Sequence, residues 1–332
     1  MTEHYYNIVV IGGFGGTGSS AIVDLLKEFD TFQDLGIELR LLVDPDGIMS
    51  LENALVSSWT PYQSDIAIKR FKKLIYRLSS MYRYPYLGTD HTRSLGDQFV
   101  YLSNEYLNRL VSFSYNGLWV GINDPLSVLG YRINRRLGRD IFRLYKPIHI
   151  SLEKDRFVSI TREYLDNLIN LRVHDSKIRN VIIDEGFASL NPFRILNYFY
   201  SAKSIIAHRD PRDTFVNALK YSFRFIPRDV ENFIKWYEHM QIQSERGSGN
   251  DDRILRIHFE DLVLDYEKTV SKILFFLSTD ESAHIRKRRF FNPDVSMENV
   301  GLWKQYENQD EVERIYTSLA RYCYDSEAFG SS

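Results

Sequence analysis

Residues 8–20 read IVVIGGFGGTGSS. Ile8, Val9, Val10 and Ile11 form a short, continuous apolar run bounded by glycine, the pattern of a strand buried on both faces. Gly12, Gly13, Gly15, Gly16 and Gly18 follow, five glycines within seven residues. From Ser19 onward the apolar residues fall at Ile22, Val23, Leu25, Leu26 and Phe29, which is helical spacing. A strand, a turn almost free of side chains and a helix N-terminus together hold an anion well. The turn lets backbone N–H groups converge, and the helix adds the positive end of its dipole. Thr17, Ser19 and Ser20 add hydroxyl donors. A tight turn that binds nothing does not need so many glycines.

The loop does not declare its nucleotide. Gly13 and Gly18 stand where a Walker loop has glycines, but Ser19 occupies the lysine position. The glycines do not have GxGxxG spacing. Glu38, twenty residues on, does not clearly close a second strand, so a dinucleotide fingerprint fits poorly.

Composition narrows the class. With 332 residues, 44% of them hydrophobic and 14% aromatic, the chain can bury a large α/β core. Forty-two basic and 44 acidic residues nearly cancel, so net charge implies no nucleic-acid partner. The single cysteine, Cys323, excludes an intrachain disulfide framework. The N-terminus has no basic segment leading into a long apolar run, and no stretch reads as a membrane span. The expectation is a cytoplasmic protein, with peripheral contact to a membrane-linked substrate left open.

Further along, Asp30–Asp46 holds Glu38 and Arg40 between Gly36 and the Asp44–Gly47 turn, close in sequence to the loop. Ile66–Met81 reads as a helix with a basic face. Residues 50–140, rich in tyrosine and containing Trp119, read as a helical insertion or acceptor-binding lid within one α/β domain spanning 1–332. Phe142–Pro147 closes a short strand, and Phe157–Leu171 is a helix. Val181–Glu185 is a second buried strand with acids at its end, in the manner of a Walker B strand. Asn191-Pro192 opens a helix, and Ser204–Arg209 is a third strand. Asp210-Pro211-Arg212-Asp213 then starts a helix, with Pro211 at its first position and Asp213 in its first turn. Arg209 at the strand's carboxyl end offers a fork of donors suited to phosphate. Glu245–Asp252 reads as a loop, Arg253–Phe259 as a strand, Asp261–Leu277 as a helix, His284–Arg289 as a dense basic run and Gln309–Tyr324 as a closing helix.

Taken together, the glycine loop, KSIIAHRDPRD at 203–213 and SMENVGLWKQY at 296–306 resemble sulfotransferases that use 3'-phosphoadenosine 5'-phosphosulfate, in particular bacterial and carbohydrate sulfotransferases. The resemblance runs from residue 8 to about 310 and is weak over 50–140. It implies a three-layer α/β/α fold with a central, mostly parallel sheet, related to P-loop NTPases. It assigns Gly15, Gly16, Thr17, Gly18, Ser19 and Ser20 to the 5'-phosphosulfate. Arg209 goes to the 3'-phosphate, with Asn217 in the family's serine position and Arg286, Lys287 and Lys304 in support. Gly36-Ile37-Glu38 is similar to a Gly-x-Glu segment whose glutamate serves as general base, with Asp44, Asp184 and His149 as reserves. Phe14 stands where the family has a loop lysine or arginine, which moves that role to a residue such as Arg40 or Lys146. The implied acceptor is a hydroxyl on a saccharide, a polysaccharide precursor or a glycolipid. The implied product is adenosine 3',5'-bisphosphate, with no metal required. Two other readings stand beside this one: a P-loop kinase or NTPase built on Gly13–Ser20 and Asp184, and a nucleotide-binding protein without catalysis.

Overall fold

A computed structural model describes residues 6–79, 90–119, 125–139, 141–142, 144–248 and 251–324. Met81, Arg143 and Gly249, which the sequence reading placed in a helix, a strand and a loop, lie outside these residues. The chain forms two compact units, 1–39 with 173–332, and 40–172.

The first unit is built on five strands. They are β1 (Asn7–Gly12) and β2 (Phe32–Asp34) here, and β5 (Asn180–Asp184), β6 (Ala202–His208) and β7 (Ile254–His258) after the second unit, which supplies β3 (Phe113–Gly117) and β4 (Lys146–Ile150). The five pair in the order β2-β5-β1-β6-β7, every neighbour parallel. Both faces are buried. Val9, Ile11, Ile182, Ile205, Ala207 and Ile257 pack with Ile22, Leu25 and Leu26 of the helix Ser19–Leu26 and with Val270, Ile273 and Leu277 of the helix Tyr266–Leu277. On the opposite face Ile8, Val10, Val181, Ile183 and Ile206 are equally buried, beneath the segments Gly186–Leu190 and Pro192–Leu196. Because strand side chains alternate, a parallel sheet covered on both faces requires the continuous apolar runs seen in the sequence.

The strand order positions the site. From β1 the chain crosses to β2 at one edge; from β6 it crosses to β7 at the other. The two strands are neighbours, with Gly12 opposite Ile206. A crevice therefore opens between their carboxyl ends, the place where open parallel sheets bind ligands.

Several boundaries differ from the sequence reading. The basic-faced helix runs Pro61–Arg77, started by Thr60, whose hydroxyl accepts from the Gln63 N–H. Lys146 begins a strand that pairs antiparallel with β3, whereas Phe142 lies outside it. Glu245 belongs to the helix Val230–Ser248, not to a loop. Asp261–Leu277 is two helices, Phe259–Leu264 and Tyr266–Leu277.

In the second unit Phe71, Phe99, Tyr106, Phe157 and Tyr164 serve the core, while other aromatic residues, such as Tyr62 and Tyr76, are exposed. Tyr106 and Tyr164 stack with ring centroids 4.4 Å apart, and their hydroxyls bond Thr161 and Ser103.

The basic run is held by one buried carboxylate. Glu28, just past the helix Ser19–Leu26, accepts from His284 Nε2 at 2.7 Å and from the N–H groups of Arg288, Phe290 and Phe291 at 2.9–3.0 Å. Four donors on two oxygens satisfy this charge away from water. In Glu28→Gln one oxygen becomes a donor and two of the four partners lose their acceptor. The expected loss is roughly 2–4 kcal/mol in urea unfolding, against within about 0.5 kcal/mol for Asp24→Asn, which breaks only a half-exposed pair with Lys27. Equal, small losses for the two variants would refute the anchoring role.

Candidate functional site

The glycine loop leaves β1 at Gly12 and ends at Gly18. Gly15, Gly16 and Gly18 take φ of +92°, +68° and +95°, the left-handed region that other residues rarely adopt. Space is short as well: a Cβ on Gly18 would lie 2.6 Å from the Phe259 ring, and one on Gly13 would lie 2.4 Å from Thr17 Oγ1. The segment after β5 clamps the loop from below. Gly13 donates to the Gly186 carbonyl at 2.9 Å, and Ser189 Oγ donates to the Gly13 carbonyl at 3.1 Å.

Beyond the loop, the helix Ser19–Leu26 begins with no side-chain cap and no acid in its first turn. Its free N–H groups and dipole favour an anion. Thr17 is 1% exposed and its hydroxyl has no partner. A buried, unpartnered donor beside open helix N–H groups, in a cradle that any side chain would fill, fits a phosphate or sulfate group.

Across the crevice Arg209 follows β6. The residue is 4% exposed. Nη1 donates to the Gly16 carbonyl at 2.9 Å, Nη2 donates to the Asn299 carbonyl, and the plane lies 5.0 Å from the Phe259 ring. Nε has no partner. Burial pulls this group below the usual guanidinium range, opposed by Asp213, Glu260 and Asp210. Asn217 is buried one helical turn beyond Asp213, and its Nδ2 stands 3.1 Å from where a Gly16 Cβ would sit. The loop, Arg209 and Asn217 are thus brought together.

The rest of the RDPRD sequence holds the 299–304 segment in place. Asp210 caps the helix Pro211–Lys220 through the Arg212 N–H and grips the Arg212 guanidinium at 2.6 Å. That guanidinium stacks on Trp303 at 4.1 Å. Asp213 accepts from the N–H groups of Gly301 at 2.7 Å and Trp303 at 3.0 Å. Lys304 emerges exposed from this segment, its ammonium 5.6 Å from the Trp303 ring.

Other expected site residues lie elsewhere. Arg286 donates its backbone N–H to the Glu28 carbonyl and its guanidinium to Phe29, and Lys287 pairs with Glu281. Glu28 lies roughly 13 Å of helix rise from Ser19. The run is therefore drawn to the far end of the helix and away from the loop. Phe14, in the position of the family's loop base, is fully buried among Trp236 and Tyr237; it anchors the loop to the core. Arg40, in the second unit, holds both oxygens of Asp44 at 2.8–2.9 Å, which compensates its charge.

Glu38 is exposed beyond the end of β2. Asp184, opposite Ile11 at the end of β5, is raised to about 6 by burial and by the charges of Glu38, Asp34 and Asp24. These carboxylates share one patch at the strands' carboxyl edge. Sequence reasoning did not single out Ser189, Phe259 or the aromatic pair Phe223–Phe225, whose rings stack 5.9 Å apart beside Gly15 and Gly16. No local pattern marks them; only the fold brings them to the loop.

Residues 142–282 match the model of the sulfotransferase family, a span that includes β5, β6, Arg209, Asn217 and β7. No curated protein matches the chain. Among solved structures, the sulfotransferase domain of the Synechococcus PCC 7002 olefin synthase is 15% identical, with 97% of each chain covered and a TM-score of 0.40. Sulfotransferase STF9 from Mycobacterium avium is 13% identical over 99% of this chain and 78% of that one, with a TM-score of 0.41. The sulfotransferase domain from the curacin biosynthetic pathway is 14% identical over 96% and 99%, with a TM-score of 0.41. No helix among the described residues is long and apolar enough to cross a membrane.

Beneath the crevice lies a pH-sensitive group. Glu260 is 1% exposed and accepts from the Asp210 N–H at 2.9 Å. Burial raises its carboxyl to about 8, so it is protonated in the folded chain at neutral pH. Its contribution to stability is present below the ordinary glutamate value and is lost as pH rises towards about 8. Glu260→Gln, which stays neutral, should remove this slope and gain roughly 1–3 kcal/mol over wild type at the alkaline end of that window. Parallel pH profiles of urea stability for the two proteins would show the carboxyl ionised throughout.

Proposed function

We propose that this chain, residues 142–282 of which match the sulfotransferase family model, transfers a sulfonate group from 3'-phosphoadenosine 5'-phosphosulfate to a hydroxyl of a saccharide, polysaccharide precursor or glycolipid. The observation that carries the reading is Arg209, buried across the crevice from an uncapped helix N-terminus and a glycine cradle. Two separate anion-binding features at the ends of adjacent strands suit a ligand with phosphates at two positions.

When bound, the donor supplies the sulfonate and leaves as adenosine 3',5'-bisphosphate. Residues Gly15–Ser20 would hold its 5' end through backbone N–H groups and hydroxyls, and these fixed dipoles stabilise charge without reorganising. Arg209, through its unpartnered Nε and by exchanging its carbonyl contacts, would hold the 3'-phosphate with the Asn217 amide. Lys304 supplies an exposed ammonium beside Trp303. Glu38 accepts the proton of the acceptor hydroxyl; Asp184, sharing its patch, is the reserve acceptor.

Calorimetry with adenosine 3',5'-bisphosphate and AMP tests the donor assignment. Arg209→Ala should lose at least about tenfold more affinity for the bisphosphate than for AMP, since a charge-assisted phosphate bond is worth roughly 1.5–3 kcal/mol. Equal losses would remove the 3'-phosphate from Arg209, and magnesium-dependent ATP turnover would establish the kinase reading instead.

Glu38→Gln tests the base. Single-turnover sulfonate transfer at saturating donor should slow roughly 10²–10⁴-fold with donor affinity unchanged. A folded variant that keeps its rate would pass the role to Asp184.

A further inference from the structure

The second unit contains a cleft of about 730 Å³ that the nucleotide site does not use. One wall is the helix Pro61–Arg77, which presents Lys69, Lys72, Lys73 and Tyr76; the facing wall includes Trp119 and Lys146 of β4. Arg70 also lines it, so among the described residues five cations border the cleft and no carboxylate does. The acid nearest by bonding, Asp65, is fully buried and already engaged. It accepts from Lys69 Nζ at 2.7 Å, Trp119 Nε1 at 2.9 Å and the His149 N–H at 2.9 Å. Asp65 thereby neutralises Lys69 and locks the indole and β4 against the helix. Among the described residues Arg70 has a distant partner, Asp46 at 3.9 Å.

That leaves Lys72, Lys73 and Lys146 as an exposed positive set beside an aromatic wall that is fixed in place. Burial holds His149 below its ordinary value, Asp65 opposes this, and Lys69 and Lys72 deepen it, so their positive field reaches the strand.

The spacing indicates what fits. From Lys69 to Tyr76 the helix rises about 10 Å. The helix cations, Lys69 to Lys73, occupy about 6 Å of this length and Lys146 stands on β4, so positive charge comes from two elements and the match is a ligand with more than one anionic group, not a single phosphate. The volume is that of a small-ligand pocket, not of a track for a nucleic-acid strand. An aromatic face among cations suits the apolar face of a sugar ring that carries anionic groups.

We infer that this cleft binds a short anionic oligosaccharide, bearing carboxylates or ester sulfates, through Lys72, Lys73, Lys146 and the Trp119 face. Its binding of the ligand does not rest on the sulfonate-transfer reading.

The test is titration of the full chain, without nucleotide, by a heparin-derived hexasaccharide, an oligogalacturonate hexamer, uncharged maltohexaose and a single-stranded oligonucleotide, each at low and high salt. At least one anionic sugar should bind at low salt and weaken at high salt, because exposed charges are screened, and maltohexaose should not bind. The response of the two anionic sugars distinguishes sulfate from carboxylate recognition. Lys72→Ala/Lys73→Ala/Lys146→Ala should lose about tenfold or more, while Lys235→Ala/Lys268→Ala should lose nothing. Lys73→Glu serves if the triple variant does not fold. Unchanged affinity in the folded variants, or tighter binding of the oligonucleotide than of both sugars, would overturn the proposal. Adenosine 3',5'-bisphosphate titrated into the same proteins separates the two readings: its failure to bind wild type sinks the donor assignment and leaves the cleft standing.

Discussion

One buried guanidinium ties the first unit's ligand crevice together. Arg209 sits between the Gly16 carbonyl of the glycine loop and the Asn299 carbonyl of the late segment. Those residues are far apart in the chain and meet only because β1 and β6 are adjacent. A cation taken out of water needs acceptors or counter-charges. Here the neighbouring carbonyls, the Phe259 ring and the charge of Asp213 provide them. The guanidinium closes this arrangement through Nη1 and Nη2, and its Nε is left without a partner among the described residues.

Around it, each charge in the RDPRD sequence has a separate mechanical task. Asp210 starts the helix and orients Arg212; Arg212 supports Trp303; Asp213 fixes the backbone on either side of Leu302. Tyr237 donates to the Arg209 carbonyl, and Tyr324 reaches Asp210 and Asp261. Burial raises Asp213 although two N–H groups oppose it. Such a layer is firm because its members satisfy one another, and removing one leaves the others exposed to the cost of burial.

Phe14 shows a loop position used for packing in place of charge. The backbone at Gly13 and Gly15 turns the ring inward to Trp236 and Tyr237, where burial and edge-to-face contacts hold the loop. A lysine there would need a partner that this aromatic pocket lacks. The cations nearest the loop by bonding therefore lie elsewhere, with Arg209 held on the Gly16 carbonyl.

The parallel sheet, the tight glycine turn after β1 and the place of Arg209 at a strand's carboxyl end were legible in the chain itself. Continuous apolar runs at 8–11, 181–183 and 205–207 fit strands buried on both faces, and five close glycines fit a turn with positive φ. The helix start at Pro211 was equally local, since proline geometry and an aspartate cap act within a turn. What Asp213 bonds, where the basic run goes and which way Phe14 faces depended on tertiary structure. Arg286 and Lys287 read as nucleotide ligands because charge alone carries no address; Glu28, more than 250 residues earlier, draws their loop to the far end of the first helix. The aromatic pair beside the loop and the Asp65-locked cleft were invisible for the same reason. Sequence periodicity reports which face of an element is buried, whereas the partner across that face is chosen by strand order and by the satisfaction of buried charge.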